Sequence, residues 1–245
     1  MFCEGKTVIT NAAKEPEIAD LCNMLKRMGA VIQGEGTDTI EIVGVKALKD
    51  ISYRIIPDRI EAATLLCAGA ITGGNILVKN VIPEHLSAAI SKMEEAGCFL
   101  DIKNSSILIK APKRLKAVEI STMPYPGFPT DMQSLFGSLM TTAKGTSIIM
   151  ETIFESRFKY LSELKKMGAK IKVQDKTAII TGNKRLNCSK VRSTDLRGGA
   201  ALVLAGLKAN GTTAVTNIEY ILRGYENLDK KLRKINAKIE IDNSD

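Results

Sequence analysis

The chain has 245 residues, of which 44% are hydrophobic and 25% charged, a globular composition with ample material for a core. No apolar run reaches the roughly 18 residues of a membrane span and the N-terminal MFCEGKTVIT lacks a signal-peptide core, so we expect a cytoplasmic protein without a membrane partner. The net charge of +8 suits a polyanionic partner, but 4% aromatic residues and no Trp offer few stacking platforms, so we expect no nucleic-acid partner.

The first elements predicted along the chain are a strand in KTVIT, a helix in EIADLCNMLKRMG and a strand in AVIQG. The same order of helix, stop and strand recurs in HLSAAISKMEEAGCFLDI, RFKYLSELKKMGAKIKV and GYENLDKKLRKINAKIEI. Gly29, Gly97, Gly168 and Asn236 follow these helices, where a C-cap favours a residue that tolerates left-handed backbone. The last copy predicts a strand near Ile239.

A second type of helix lies between these copies, and each of its examples starts at an aspartate, Asp58, Asp131 or Asp195. The strands NILVKNV, SIIMETI and TAVTNI follow the three helices. An aspartate at a helix start accepts hydrogen bonds from free backbone N–H groups, so a capping role is the simplest explanation for all three.

Together these elements predict an α/β fold (α+β in some schemes) of βαβ-like modules that recur roughly every 70 residues. Residues 58–245 hold three modules. Residues 1–57 match only the second half of a module, with no Asp-led helix before them. The sequence therefore predicts a partial first domain over 1–57 and a second domain over 58–245.

Asp131 differs from the other two aspartates in the segment that precedes it, the Pro/Gly-rich PYPGFPT. A rigid loop of this kind can hold a carboxylate at a fixed surface position, as a functional site requires. Asp131 is therefore either a helix cap or a base that takes a proton from a substrate.

Three arginines, Arg157, Arg197 and Arg223, are predicted just before or inside the first turn of a helix. An arginine there opposes the helix dipole, and a residue that breaks a local rule is a candidate for function. A guanidinium beside a helix start binds phosphate or carboxylate well, and Gly198 and Gly224 would let an anion approach the backbone. The alternative is an ordinary surface or salt-bridged arginine.

The motifs EPEI, GTDTIEI, PDRIE, FPTDMQ, ETIFESRF, TDLR, LVLAG, GTT and RGYE occur in this order. With them the chain resembles, over nearly its whole length, the C-terminal part of the enolpyruvyl transferase family, and most closely the branch that acts on UDP-N-acetylglucosamine. The resemblance implies an inside-out α/β barrel of βαβαββ modules. By this comparison residues 1–57 resemble the end of the first family domain and residues 58–245 most of the second.

The resemblance implies transfer of the enolpyruvyl group of phosphoenolpyruvate to the sugar 3-hydroxyl of UDP-N-acetylglucosamine, with release of phosphate, early in peptidoglycan synthesis. Asp131 matches the family base, and Ile153 an apolar position whose backbone contacts the UDP-sugar. Three further matches are to arginines that hold the anionic groups of phosphoenolpyruvate: Arg157, Arg197 and Arg223. Arg59 matches an arginine at the domain junction, with a weaker role.

The family's general acid, a cysteine on a loop of the first domain, and its N-terminal lysine and asparagine have no counterpart here. Cys22, Cys67 and Cys98 are predicted to be structural, while Cys3 and Cys188 can be exposed but lack the family loop. We therefore expect no turnover by this chain alone, and a partner that is either the missing N-terminal half or a second copy. The sole histidine, His85, belongs to no metal-ligand cluster, so no metal or cofactor is expected.

Other functions are open at this point. A related enzyme acting on shikimate 3-phosphate shares the family chemistry, although FPTDMQ, ETIFESRF and RGYE together favour the UDP-sugar branch. A chain of this kind could also bind a ligand or partner protein without chemistry. RNA 3′-terminal phosphate cyclases use related modules, but they would require a catalytic histidine, and His85 lies outside any such motif.

Overall fold

The computed structural model describes residues 1–242, and the chain divides into two compact units. The first unit comprises Met1–Pro57 together with Pro124–Gly127, and the second comprises Asp58–Met123 together with the chain from Phe128 onward. PYPGFPT thus begins in one unit and ends in the other.

The first unit contains one helix and a three-stranded antiparallel sheet in the order β1-β3-β2. Its elements are β1 (Lys6–Thr10), α1 (Pro16–Arg27), β2 (Val31–Gln33) and β3 (Thr39–Val43). Proline at the first position starts α1 without loss of a helical hydrogen bond. Its small core is formed by Cys22, Ala30, Ile32 and Ile40.

The second unit begins with a helix, a strand, a helix and a hairpin. These are α2 (Arg59–Thr72), β4 (Asn75–Lys79), α3 (Ser87–Glu95), β5 (Phe99–Lys103) and β6 (Ser106–Lys110). A short 3₁₀ turn with His85, Pro83–Leu86, leads into α3. The strands pair antiparallel in the order β4-β6-β5, the same arrangement as in the first unit.

The next segment forms a complete βαβαββ module. Its elements are β7 (Glu119–Ser121), α4 (Thr130–Met140), β8 (Thr146–Met150), α5 (Lys159–Lys166), β9 (Lys170–Gln174) and β10 (Thr177–Thr181). Strand β7 pairs parallel with β8, and the sheet runs β7-β8-β10-β9. The prediction of an α/β fold built from repeated βαβαββ modules is confirmed.

The last module is shorter than predicted. It contains β11 (Lys190–Arg192), α6 (Leu196–Lys208), β12 (Ala214–Thr216), α7 (Glu219–Leu222) and α8 (Leu228–Lys234), with β11 parallel to β12. The predicted strand near Ile239 is wrong, because residues 237–242 form no strand. A strand needs a pairing partner, and no hairpin partner follows in the described residues; Ile239 packs against the core instead.

The centre of the second unit is occupied by α2, α4 and α6, which pack against one another. Every residue of α4 from Met132 to Met140 is buried, as expected of a helix that is surrounded by other elements. This interior placement of the Asp-led helices is the inside-out arrangement that the family resemblance implies.

Two of the three aspartates predicted as caps do cap their helices. Asp58 accepts hydrogen bonds from the backbone N–H groups of Ile60 and Glu61. Asp195 does the same for Arg197 and Gly198. Asp131 does not, because α4 starts one residue earlier, at Thr130, and its N-cap is Pro129.

Just beyond the C-terminal end of α4, Arg114 binds the turn that follows the helix and the end of β10. Its guanidinium donates to the carbonyl oxygens of Thr142 at 3.0 Å, Ala143 at 2.8 Å and Gly182 at 3.3 Å. A cation at this end complements the helix dipole, and it satisfies carbonyl groups of the following turn.

We expect Asp58→Ala and Asp195→Ala each to lower the free energy of unfolding by about 1 kcal/mol, the usual loss when an N-cap is removed. Urea titration followed by far-UV circular dichroism measures the change. Glu94→Ala, on the exposed side of α3, is the control and should stay within about 0.5 kcal/mol of the parent. Equal effects at positions 58 and 94 would contradict the capping role.

The contact between α4 and α5 depends on a glycine. A Cβ added at Gly137 would lie 2.0 Å from the hydroxyl oxygen of Tyr160, a side chain that is fully buried. Burial also raises the pKa of Tyr160, so the hydroxyl stays protonated.

Gly137→Ala should therefore destabilise the chain by roughly 1–3 kcal/mol through overpacking. Adding Tyr160→Phe, which removes the clashing hydroxyl, should recover a large part of that loss in the double variant. Thermal unfolding of the two single variants and the double variant forms the cycle. If the stability losses of the two single variants simply add in the double variant, the Tyr160 hydroxyl is not the group that the added methyl of Gly137→Ala meets.

Candidate active site

Asp131 lies in the first turn of α4, and its carboxylate is held by two arginines rather than by backbone N–H groups. The side chain is 39% exposed. One carboxylate oxygen, Oδ1, accepts a hydrogen bond from Nη2 of Arg157, and the other, Oδ2, accepts from Arg197. The capping interpretation of Asp131 is therefore wrong.

Arg157 reaches Asp131 from the loop between β8 and α5. Its side chain is only 12% exposed, and its Nε donates to the carbonyl oxygen of Thr130 at 3.3 Å. The guanidinium lies over the ring of Phe154, with 5.1 Å between the guanidinium carbon and the ring centroid. A cation over an aromatic face is held in position while one side of the guanidinium remains free for other contacts.

Arg197 reaches Asp131 from the first turn of α6, with its Nη2 at 3.0 Å and its Nε at 3.2 Å from Oδ2. Its guanidinium carbon is 5.4 Å from the centroid of the Tyr225 ring. The Tyr225 hydroxyl in turn bonds to Thr64 Oγ1 of α2 at 2.9 Å. Contacts of the cluster thus extend to all three central helices.

The electrostatic balance at this point favours an anion. Burial lowers the pKa of Arg197, but Tyr225 and Asp131 together raise it by more, so the pKa lies above its ordinary value and the group is always charged. The single Asp131 carboxylate contacts both guanidiniums, so it can neutralise at most one of their two charges. Within the described residues, Nη1 of Arg197 is a buried charged donor without a hydrogen-bond acceptor.

Glu151, directly after β8, is a buried carboxylate beside this cluster. It accepts hydrogen bonds from the hydroxyls of Thr122 and Thr130 and from the backbone N–H groups of Ile153 and Phe154. The loop that carries Arg157 is therefore tied to the end of β7 and to the start of α4.

The structure does not place the remaining predicted site residues in the same cluster. Ile153 is 44% exposed and lies on the loop that Glu151 holds. Arg59 is buried at the first position of α2. Arg223 caps the C-terminus of α7, and its exposed guanidinium lies over Tyr220. The prediction that Arg223 stands at a helix start is wrong: the chain makes a short helix before it, at whose end a cation suits the dipole.

Sequence reasoning missed Glu151, Phe154 and Tyr225. The two aromatic residues stand near arginines in the motifs ETIFESRF and RGYE, a spacing that could have suggested support for a guanidinium. Glu151 gave a weaker signal, a charged residue immediately after an apolar strand. Its role depends on donors from three separate segments, which no local pattern shows.

The cysteines lie as predicted. Cys22, Cys67 and Cys98 are buried and Cys3 and Cys188 are exposed, all as free thiols. Burial raises the pKa of Cys98 to about 11, which leaves it a poor nucleophile or acid–base group. Residues 1–242 hold no group of three His, Cys, Asp or Glu side chains placed for a metal ion. Over the same residues, no helix is long and apolar enough to cross a bilayer.

The repeated modules and the interior Asp-led helices define the fold class of the enolpyruvyl transferases. A family model described as EPSP synthase (3-phosphoshikimate 1-carboxyvinyltransferase) matches residues 1–232. The chain belongs to this family.

The chain is also similar to curated proteins of one activity. It is 53% identical over 239 residues to UDP-N-acetylglucosamine 1-carboxyvinyltransferase 1 of Caldanaerobacter subterraneus subsp. tengcongensis, covering 98% of the chain and 58% of that protein. It is 48% identical to UDP-N-acetylglucosamine 1-carboxyvinyltransferase of Myxococcus xanthus, covering 98% of the chain and 57% of that protein. The chain thus spans little more than half the length of these relatives.

Solved structures agree with this fold. The enolpyruvyl transferase NikO from Streptomyces tendae is 27% identical, with a TM-score of 0.86 over 97% of the chain and 57% of that protein. EPSP synthase from Acinetobacter baumannii is 20% identical, with a TM-score of 0.74 over 98% of the chain and 58% of that protein, and shares the fold.

Asp131→Asn should strengthen the binding of inorganic phosphate by about threefold to tenfold, a change of ~1 kcal/mol, because the variant no longer competes as an anion for the two guanidiniums. Isothermal titration calorimetry at low ionic strength measures the affinity. Arg197→Lys should weaken it, since the planar fork is lost. Glu163→Gln, at a buried carboxylate that bonds to the backbone of Arg192, is the control. An unchanged phosphate affinity in Asp131→Asn would contradict the assignment of the two guanidiniums as an anion-binding site.

Proposed function

We propose that this chain supplies the second-domain half of an active site that transfers the enolpyruvyl group of phosphoenolpyruvate to the 3-hydroxyl of UDP-N-acetylglucosamine, releasing phosphate. The observation that carries the proposal is the Asp131 carboxylate bound between Arg157 and Arg197. The relatives named for this activity, at 53% and 48% identity, support the choice of acceptor.

The two arginines suit phosphoenolpyruvate, whose phosphate and carboxylate are both anionic. Arg157 donates to Asp131 through Nη2, and Arg197 through Nε and Nη2; these donors can pair with a substrate oxyanion instead. Negative charge that develops on the departing phosphate would be stabilised by the same groups, held in place by Phe154 and Tyr225.

Asp131 suits the role of base for the sugar hydroxyl. Its two oxygens are occupied by guanidinium N–H donors while the substrate anion is absent. When the anion draws the arginines away, a lone pair of the carboxylate becomes available for the hydroxyl proton as that oxygen attacks C2 of phosphoenolpyruvate. In this proposal the arginines couple anion binding to activation of the acceptor.

The other predicted residues are proposed as ligand contacts. The N–H of Ile153 is bound to Glu151, so a ligand that contacts this backbone does so at the carbonyl, as a hydrogen-bond donor such as a hydroxyl or amide. Arg223 is exposed and free to turn toward a substrate anion, and Arg59 is assigned the junction role of its family match.

We assign residues 1–57 to a first enolpyruvyl transferase domain and residues 58–245 to a second. In the complete module, the strand that follows the Asp-led helix pairs on its outer edge with a parallel strand, as β8 does with β7. Strand β1 has the corresponding place in the order β1-β3-β2 and is an edge of its sheet. The proposed partner of this edge is the remaining half of the first domain, or a second copy of the chain.

The proposed cellular setting follows from the activity. Transfer of enolpyruvyl to UDP-N-acetylglucosamine belongs to peptidoglycan synthesis, and hence to cell-wall biogenesis, cell shape and division. The substrates are cytoplasmic metabolites, so the cytoplasm is the proposed location. The proposed chemistry requires no metal or cofactor.

The chain alone should release no phosphate from phosphoenolpyruvate plus UDP-N-acetylglucosamine. Adding the N-terminal part of the Caldanaerobacter relative in trans should restore release, and Asp131→Ala should abolish it. Glu163→Ala is the matched control and should leave restored turnover largely intact. Turnover that depends on shikimate 3-phosphate as acceptor would favour the other branch. Restored turnover that survives Asp131→Ala would exclude Asp131 as the base.

We expect the isolated chain to associate through the first unit, because Val8 and Ile9 of β1 are 48% and 44% exposed and an edge strand can pair with another chain. Sedimentation velocity should show concentration-dependent oligomers. Ile9→Lys should shift the chain toward monomer, while Ile148→Lys, an equally apolar position in the paired strand β8, should not relieve association. A monodisperse parent chain would contradict this expectation.

A further inference from the structure

Glu151 has more hydrogen bonds than its position after a strand requires. Its Oε1 accepts from Thr122 Oγ1 at 2.8 Å, from the N–H of Ile153 at 2.9 Å and from the N–H of Phe154 at 3.0 Å. Its Oε2 accepts from Thr130 Oγ1 at 2.9 Å. The residue is 1% exposed, so this charge is stabilised inside the protein by four directed donors.

These donors come from three segments that carry the candidate site. Thr122 follows β7, Thr130 is the first residue of α4 and precedes Asp131, and Ile153 and Phe154 belong to the loop that ends at Arg157. Phe154 also forms the surface under the Arg157 guanidinium. The carboxylate therefore fixes both ends of the Asp131–Arg157 ion pair.

A second link joins the same segments. Thr122 Oγ1 accepts from the N–H of Thr152 at 2.8 Å, while its own hydroxyl proton is donated to Glu151. Arg157 Nε bonds to the Thr130 carbonyl. With Glu151 removed, one buried donor (Thr122) and three part-buried donors would lose their acceptor, and the loop could move away from α4.

We propose that Glu151 is a positioning residue that holds Arg157 against Asp131 and holds the backbone of the loop at Ile153 and Phe154. It does not touch the proposed reacting atoms. Its importance for turnover rests on the proposed enolpyruvyl transfer, but the geometric role is independent of that function. A hydrogen-bond role, as opposed to a charge role, predicts that glutamine replaces it, because the amide oxygen can take the place of Oε1 and the amide N–H can donate to the Thr130 hydroxyl.

The first test is NMR of the full ¹⁵N-labelled chain. In Glu151→Ala, the amides of Ile153 and Phe154 should exchange about 10- to 100-fold faster, the range expected when a hydrogen bond to a charged group is lost. The Arg157 Nε–Hε resonance, assigned with Arg157→Lys, should shift. In Glu151→Gln both should remain near the parent values.

Glu163→Ala is the matched control, since it removes another buried carboxylate of the second unit that binds a backbone N–H. It should lower the melting temperature without moving the Arg157 resonance. An unmoved Arg157 resonance in Glu151→Ala, or an equal shift in Glu163→Ala, would overturn the proposal. If Glu151→Ala does not fold, Thr130→Val decides, because it breaks only the link to α4: a shifted Arg157 resonance supports the proposal and an unmoved one overturns it.

The kinetic test uses the complemented enzyme described above. Glu151→Ala should lower kcat by a larger factor than it changes KM for UDP-N-acetylglucosamine, and Glu151→Gln should recover most of kcat. If Glu151→Ala shifts the Arg157 resonance but the parent enzyme shows no enolpyruvyl transfer, the positioning role stands and only the proposed function is overturned. Turnover by the parent that Glu151→Ala does not reduce would overturn the catalytic importance of Glu151.

Discussion

The candidate site depends on one constraint, the side-by-side packing of α4 and α6 with their N-terminal ends together. Both helices are apolar on nearly every side, so burial fixes their mutual position, and the polar first turns are left at one end. Asp131 and Arg197 each occupy the second position of their helix and meet there. The positive ends of two helix dipoles converge at the same place, so an anion is favoured before any side chain is considered.

An arginine in the first turn of a helix is unfavourable by itself, and the structure shows how the cost is offset. The Asp131 carboxylate neutralises part of the charge, and the Tyr225 ring covers one face of Arg197. An ion pair whose carboxylate is this exposed adds little net stability, because solvent screens the attraction. Its retention at an end where an anion is favoured is better explained by ligand binding than by folding.

The repeat was predictable from sequence because each module depends on local signals: apolar periodicity, a glycine stop and a capping aspartate. Asp58 and Asp195 follow those signals. Asp131 does not, because Pro129 and Thr130 let α4 begin one residue earlier and release its side chain for long-range pairing. Two other predictions failed for a similar reason. The short helix before Arg223 and the lack of a pairing partner for a strand near Ile239 depend on tertiary contacts, which local sequence patterns do not show. The role of Glu151 depends on donors from distant segments, which the one local signal, a charge directly after an apolar strand, does not reveal.

The two ends of α4 make contacts of different kinds, and Arg114 supplies those at the C-terminal end. Just beyond the C-terminal end of this buried helix, the Arg114 guanidinium binds three carbonyl oxygens, while the N-terminal end presents a carboxylate to two guanidiniums. Helix α4 is thus anchored near its C-terminal end and can interact with a ligand at its N-terminal end. A substitution at Arg114 is therefore expected to act on folding, whereas one within a turn of Asp131 is expected to act on the ligand.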